Sequence, residues 1–201
     1  MRNSLPDHLG RSCDNNFSAI DIPVIDYFCK GKKTFLDIGC ANGEAAQYVQ
    51  CIGLDAYGID GDPYAIYEYS DKLIRDKLIC HDYTIGKSSF NIEVDIVWSM
   101  DFVEHVKEIY IDNFMKDFCL GKIIILNTPP KGSKGHHHVN TQNKNYWINL
   151  FTKYGYFYSK SDSMIAEELS DYYNPVHGEW IKKYMESPPK QNYMVFHVHS
   201  N

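Results

Sequence analysis

Phe35-Leu36-Asp37-Ile38-Gly39-Cys40-Ala41-Asn42-Gly43-Glu44 is an apolar strand that ends in an acid, then a glycine-spaced turn that opens a helix. Glycine at such a turn permits a tight bend and the close approach of a ligand to the backbone. Apolar, β-branched segments recur on both sides of it, with helical spacing between them, which predicts an α/β domain built on a mostly parallel sheet. Strands are expected at Thr34 to Ile38, Ala56 to Ile59, Leu78 to His81, Asp95 to Ser99, Lys122 to Asn127, Tyr156 to Ser159 and Tyr193 to His199. Helices are expected at Ile20 to Cys29, Gly43 to Gln50, Pro63 to Lys72, Tyr110 to Phe118, Lys144 to Lys153 and Asp162 to Met185, the last ended by Ser187-Pro188-Pro189.

The chain has 201 residues, 44% of them apolar and 23% charged, as in an ordinary soluble domain with its own core. It reads as one domain, residues 1–201, with residues 1–16 a lid or tail and residues 140–190 an elaboration beside the site. The net charge of −6 argues against a protein that holds nucleic acid mainly by neutralising phosphates. No apolar run of about 18 residues or apolar N-terminal stretch occurs, so no membrane partner is expected and the location is read as cytoplasmic. The six cysteines show no metal or disulfide spacing and are expected to be reduced. Of the 16 Tyr, 10 Phe and 3 Trp, most should be core, although Tyr146, Trp147, Tyr172, Tyr173 and Trp180 could wall a pocket.

Asp60 ends the second strand about 20 residues after Asp37, where an acid can accept both hydroxyls of an adenosine ribose. Ala41 replaces the glycine that would let a pyrophosphate approach the helix, and Asp37 would oppose a polyanion. Both features disfavour a dinucleotide, and Asp37 suits a ligand with an ammonium or sulfonium group. Alone, Asp37, Asp60 or Asp82 could equally be a turn residue or a helix cap.

The ordered set resembles class I S-adenosylmethionine-dependent methyltransferases of the type 11, 12 and 23 kind, over roughly residues 20–160. Asp37, Gly39, Ala41 and Gly43 match their first motif except at Ala41. Asp60 and Gly61 resemble the ribose-binding end of the second strand, Asp82 with Tyr83 the adenine-side pair, and Asp95 to Val106, including Ser99, the fourth-strand motif. Gly121 to Pro130 resembles the fifth strand and its loop. The resemblance implies a three-layer Rossmann-like sheet whose last strand is antiparallel beside the fifth. It implies S-adenosylmethionine as cofactor, held by Asp37, Gly39, Cys40, Ala41, Gly43, Asp60, Gly61, Asp82, Tyr83 and Ser99.

Asp101, Glu104 and His105 are spaced i, i+3 and i+4, so a helix directly after the fourth strand would put them on one face. His136-His137-His138 lies in the loop after the fifth strand, at the same sheet edge. Asp101, Glu104, His105 and His138 would together suit a divalent metal, without deciding between magnesium, manganese and zinc. This set resembles the metal site of small-RNA 3′-terminal 2′-O-methyltransferases, and part of it that of quinone-pathway O-methyltransferases. Without a metal, His105 or His138 would be the general base, with Glu104 beside it. His197 and His199 share a face of the last strand, His81 and His177 have less to recommend them, and His8 and Arg11 could reach a carboxylate if the N-terminus folds over the cofactor.

The expected activity is therefore methyl transfer from S-adenosylmethionine to an oxygen, or less favourably a nitrogen, of a small molecule or glycan. The alternatives are an RNA 3′-end 2′-O-methyltransferase with a metal, an inactive methyltransferase-fold scaffold, and a nicotinamide-dependent reductase.

Overall fold

The computed structural model describes Pro6, Leu9, residues 20–170 and residues 192–199. Its seven-stranded sheet runs β3-β2-β1-β4-β5-β7-β6, with β1 Thr34–Ile38, β2 Asp55–Asp60, β3 Leu78–Cys80, β4 Val94–Met100, β5 Gly121–Asn127, β6 Tyr156–Ser159 and β7 Tyr193–Val198. The first five are parallel; β7 is antiparallel to both β5 and β6. This is the expected class and strand placement.

Helices α1 Ile22–Cys29, α2 Glu44–Cys51, α3 Lys72–Arg75 and α6 Lys160–Leu169 cover one sheet face. Their Val24, Ile25, Phe28, Ala46, Val49, Ile74 and Ala166 pack on Phe35, Trp98 and Tyr193. α4 Ile111–Phe118 and α5 Lys144–Lys153 cover the other face, where Phe114, Phe118, Trp147 and Phe151 meet Leu36, Val97 and Phe196. Burial of large apolar side chains on both faces supplies the main driving force, at about 1.5–3 kcal/mol per side chain. Near-continuous apolar strands follow from that two-sided cover.

Two helical expectations are corrected. The predicted helix Pro63 to Lys72 is a π-helical turn, Ala65–Tyr69, followed by a break and then α3. Ser70 causes the break: its hydroxyl donates back to the Ile66 carbonyl, its backbone turns extended, and Asp71 caps the next helix by accepting from Leu73 N–H at 2.8 Å. The helical turn after β4 that would put Asp101, Glu104 and His105 on one face is only a 3₁₀ turn, Val103–His105, because Asp101 N–H continues the sheet by donating to the Asn127 carbonyl and Asp101 then turns left-handed at φ +48°.

Trp147 is wholly buried between α5 and the sheet, the core role expected of most of these rings and not a pocket wall. Tyr172, Tyr173, Trp180, His177, His8, Arg11 and Cys13 lie outside the described residues, as does the predicted helix beyond Ser170. Cys29, Cys40, Cys51, Cys80 and Cys119 are free thiols. Among the described residues no helix is long and apolar enough to cross a membrane.

Candidate active site

The sheet order reverses between β1 and β4, so the crevice beyond their carboxyl ends is where an open α/β sheet takes its ligand. On the β1 side, Gly39 and Gly43 both adopt φ +83°, and Ala41 keeps a left-handed φ of +48° in spite of its Cβ. The turn is stapled to β2: Gly39 and Cys40 N–H donate to the Ile59 carbonyl, and Ala41 N–H donates to Asp60 Oδ2 at 2.9 Å. Asp62 N–H donates to Asp60 Oδ1 at 2.8 Å. Asp60 thus joins the two turns that border the crevice, and burial pushes its carboxyl up to about 6 against the pull of those N–H groups.

Asp37 is 2% exposed, and burial together with the charge of Asp60 raises its carboxyl far above the ordinary range. Two desolvated acids at one crevice favour a cationic ligand, which would restore their charged forms. Linkage fixes a sign. The folded protein holds the Asp37 proton more tightly than the unfolded chain, so stability from this group is full below about pH 4 and is lost as pH rises toward the folded value. Asp37→Asn is therefore expected to raise the melting temperature by a few degrees at pH 7 but not at pH 4, measured by thermal unfolding at both.

Of the other residues expected at the cofactor, Ser99 is buried and its hydroxyl donates to the Ile38 carbonyl at 2.8 Å, so it ties β4 to β1. Cys40 is likewise buried, leaving only its backbone at the turn. Tyr83 is turned inward, its hydroxyl donating to Asp117 Oδ2 at 2.8 Å and its ring set edgewise on Phe102 and Phe114. Asp82 accepts from Thr84 N–H at 2.8 Å in a turn at the end of β3, and the Cβ that Gly61 lacks would fall 2.5 Å from Leu9 Cδ2. Leu9 therefore packs against Gly61 at the carboxyl end of β2.

On the β4 side, Glu104, His105 and His138 converge, with one ligating atom from each within 4.8 Å of the others. Asp101, expected as a fourth member, is outside this group: its left-handed turn leaves it exposed while Glu104 is fully buried. The His105 and His138 rings meet edge to face at 5.1 Å, and His105 Nε2 stands 3.8 Å from Glu104 Oε1. Glu104 Oε2 accepts from the Thr128 hydroxyl, while Oε1 is buried without a hydrogen-bond partner. Burial and the charge of Asp101 raise the Glu104 carboxyl well above its usual range, and burial with the three neighbouring histidines pushes His105 down to about 4. His105 is thus neutral at pH 7 and keeps a basic nitrogen.

Val139 and Asn140 N–H both donate to the Glu104 carbonyl, and this is what brings the histidine loop onto the 3₁₀ turn. Thr128, Asn140 and Phe102 were not singled out by sequence. Phe102 fills the place of the absent Gly39 Cβ, at 2.5 Å, and so links the glycine turn to the Glu104 turn. Only its position next to the acid-x-x-Glu-His segment hinted at that role. His197 pairs with Asp162 at 2.6 Å and stacks on Phe157 with His199 nearby, while His81 contacts the Gly86 carbonyl; none of them belongs to the cluster.

Residues 36–117 match the family model described as a methyltransferase domain. No curated protein matches by sequence. Among solved structures, the plantazolicin methyltransferase BpumL, in complex with a desmethylPZN analog and SAH, aligns with TM-score 0.58 and 16% identity over 94% of this chain and 84% of its own. A TehB-like SAM-dependent methyltransferase from Corynebacterium glutamicum aligns with TM-score 0.59 and 15% identity over 88% and 85%. A putative methyltransferase in complex with the Haloferax volcanii Trm112 activator gives 0.58 and 14% over 89% and 90%. The chain thus carries a methyltransferase-domain match over residues 36–117 within the Rossmann-like fold of class I S-adenosylmethionine-dependent methyltransferases.

Proposed function

We propose that this protein transfers a methyl group from S-adenosylmethionine to an oxygen of a small molecule or glycan. The observation that carries it is the pairing, across one crevice, of the desolvated acids Asp37 and Asp60 with the neutral His105 beside His138. The acids and the bent glycine turn fit a cationic nucleoside: Asp60 keeps lone pairs for ribose hydroxyls, Gly39, Ala41 and Gly43 give a narrow backbone edge, and Asp82 borders the base side. When bound, the cofactor supplies an electrophilic methyl on a sulfonium.

His105 or His138 takes the proton of the acceptor hydroxyl while the acceptor oxygen is held in line with that methyl. Glu104 lies beside His105, its Oε1 3.8 Å from Nε2, and the Thr128 hydroxyl holds Glu104 through Oε2. Asp60 and the Gly39–Gly43 turn would hold the cofactor while that methyl passes to the acceptor oxygen, and His105 or His138 would keep the proton the oxygen releases. Positioning of the acceptor carries most of the rate.

A second version rests on the orphaned Glu104 Oε1: one carboxylate and two imidazoles within 4.8 Å form a donor set for a divalent cation. Without Asp101 the set has three ligands, which leaves positions for acceptor oxygens. In that version the acceptor could be the 2′-hydroxyl at an RNA 3′ end. Elemental analysis of untagged protein, with activity before and after chelation, separates the two. Stoichiometric metal, with turnover lost on chelation and restored by one divalent ion, would replace the metal-free mechanism; turnover that survives chelation supports it.

A further inference from the structure

We propose that the methyl acceptor is an anionic small molecule, whose phosphate or carboxylate group is held by Lys131 and Lys134; this deepens the methyl-transfer reading and rests on it. The chain is acidic overall, yet it has no Asp or Glu between Asp117 and Asp162. That stretch carries Lys122, Lys131, Lys134, Lys144, Lys153 and Lys160 and the three loop histidines. The fold sorts these charges. Lys122 is paired with Asp95 at 2.8 Å and Lys144 with Glu167 at 3.1 Å, Lys153 precedes β6 at the amino edge of the sheet, and Lys160 opens α6 beyond the outermost strand β6, with β7 between it and β5. Lys131 and Lys134 sit in the loop after β5, at the carboxyl edge, exposed and without an ion pair to any described residue.

That loop is folded, and folded onto the candidate site. Gly132 N–H donates to the Thr141 hydroxyl, Ser133 N–H to the Pro130 carbonyl, and His138 Nδ1 contacts the Ser133 carbonyl at 3.3 Å. Val139 and Asn140 then bind the Glu104 carbonyl. Lys131 and Lys134 are therefore carried on the same short loop as His138, whose ring reaches the fully buried Glu104 carboxyl. Glu104 Oε1 has no hydrogen-bond partner and would accept from the hydroxyl of a methyl acceptor brought to the cluster.

The groups facing this mouth are Asp101 and Glu104 on the turn, His105, His136, His137 and His138, with Lys107 alongside and Glu108 engaged by the Tyr146 hydroxyl. The acids Asp37, Asp60 and Asp82 lie on the cofactor side. Lys107, Lys131 and Lys134 stand at this mouth against the exposed Asp101 and the engaged Glu108, so it favours an anion where the acid-lined cofactor side favours a cation, which helps to orient two ligands of opposite charge. Two lysines suit one compact anionic group. A nucleic-acid backbone would need a basic track several nucleotides long, which the −6 chain does not display.

The test uses metal-stripped protein saturated with S-adenosylhomocysteine and titrated at low ionic strength with inorganic pyrophosphate, citrate and a 3′-hydroxyl RNA hexamer. The variants are K131Q/K134Q and, as a charge-matched control at the amino edge, K30Q/K153Q. The expected result is saturable binding of pyrophosphate or citrate that weakens about tenfold in K131Q/K134Q and is unchanged in K30Q/K153Q; the preferred anion identifies phosphate or carboxylate as the group. Absence of anion binding to protein that does bind S-adenosylhomocysteine overturns this proposal and leaves methyl transfer standing. Equal weakening in both variants overturns it as non-specific charge. Tighter binding of the hexamer, lost in K131Q/K134Q, overturns it in favour of an RNA end. Failure to bind S-adenosylhomocysteine overturns the reading on which it rests.

Discussion

Asp60→Ala is expected to weaken S-adenosylhomocysteine binding by roughly 100-fold, measured by calorimetry against the unaltered protein, with little change in the far-ultraviolet circular dichroism spectrum. The residue serves the site twice. Its two oxygens accept the Ala41 and Asp62 N–H groups at 2.9 and 2.8 Å, which hold the glycine turn against the end of β2, and on the proposed reading its remaining lone pairs would accept from ribose hydroxyls. Hydrogen bonds to a charged partner are worth about 1.5–3 kcal/mol each, so losing two reaches about two decades of affinity. Asp60→Asn keeps one carbonyl oxygen and should lose less. Unchanged affinity in Asp60→Ala would remove Asp60 from the cofactor site.

His105→Ala is expected to lower kcat by about 10²–10⁴ and to leave S-adenosylhomocysteine affinity within about twofold, once an acceptor is in hand. His105 is half-buried beside His138 and Glu104, across the crevice from Asp60, so its loss touches the proton and the acceptor but not the nucleoside. Glu104→Gln keeps the shape and the Thr128 contact and should fall between the unaltered protein and His105→Ala. A fall in cofactor affinity with unchanged kcat would contradict this division of labour.

The parts of the site that were legible in the sequence are those set by local chemistry. A strand that ends in Asp37, glycines where the chain must turn left-handed, and Asp60 at the next strand end are readable because each follows from backbone geometry along one segment. The antiparallel β7 came instead from the family resemblance, since no local pattern tells which neighbour a strand will choose. Long-range hydrogen bonds were invisible for the same reason. The Tyr83 hydroxyl donates to Asp117, on α4, and the Ser99 hydroxyl to the Ile38 carbonyl, and neither partner shows in the local sequence.

Asp101 shows the limit of spacing arguments. Placed at i relative to Glu104 and His105, it would share their face in an α-helix, but one extra sheet hydrogen bond to Asn127 and a left-handed φ carried it outward. His138, by contrast, was anticipated at the site because any loop after β5 opens at that edge, and the Val139 and Asn140 bonds to the Glu104 carbonyl bring it there.

The most direct measurement is calorimetric titration of the purified, folded protein with S-adenosylhomocysteine, with NAD in parallel. The account predicts micromolar binding of S-adenosylhomocysteine and none of NAD. Binding of NAD alone, or of neither, would contradict it.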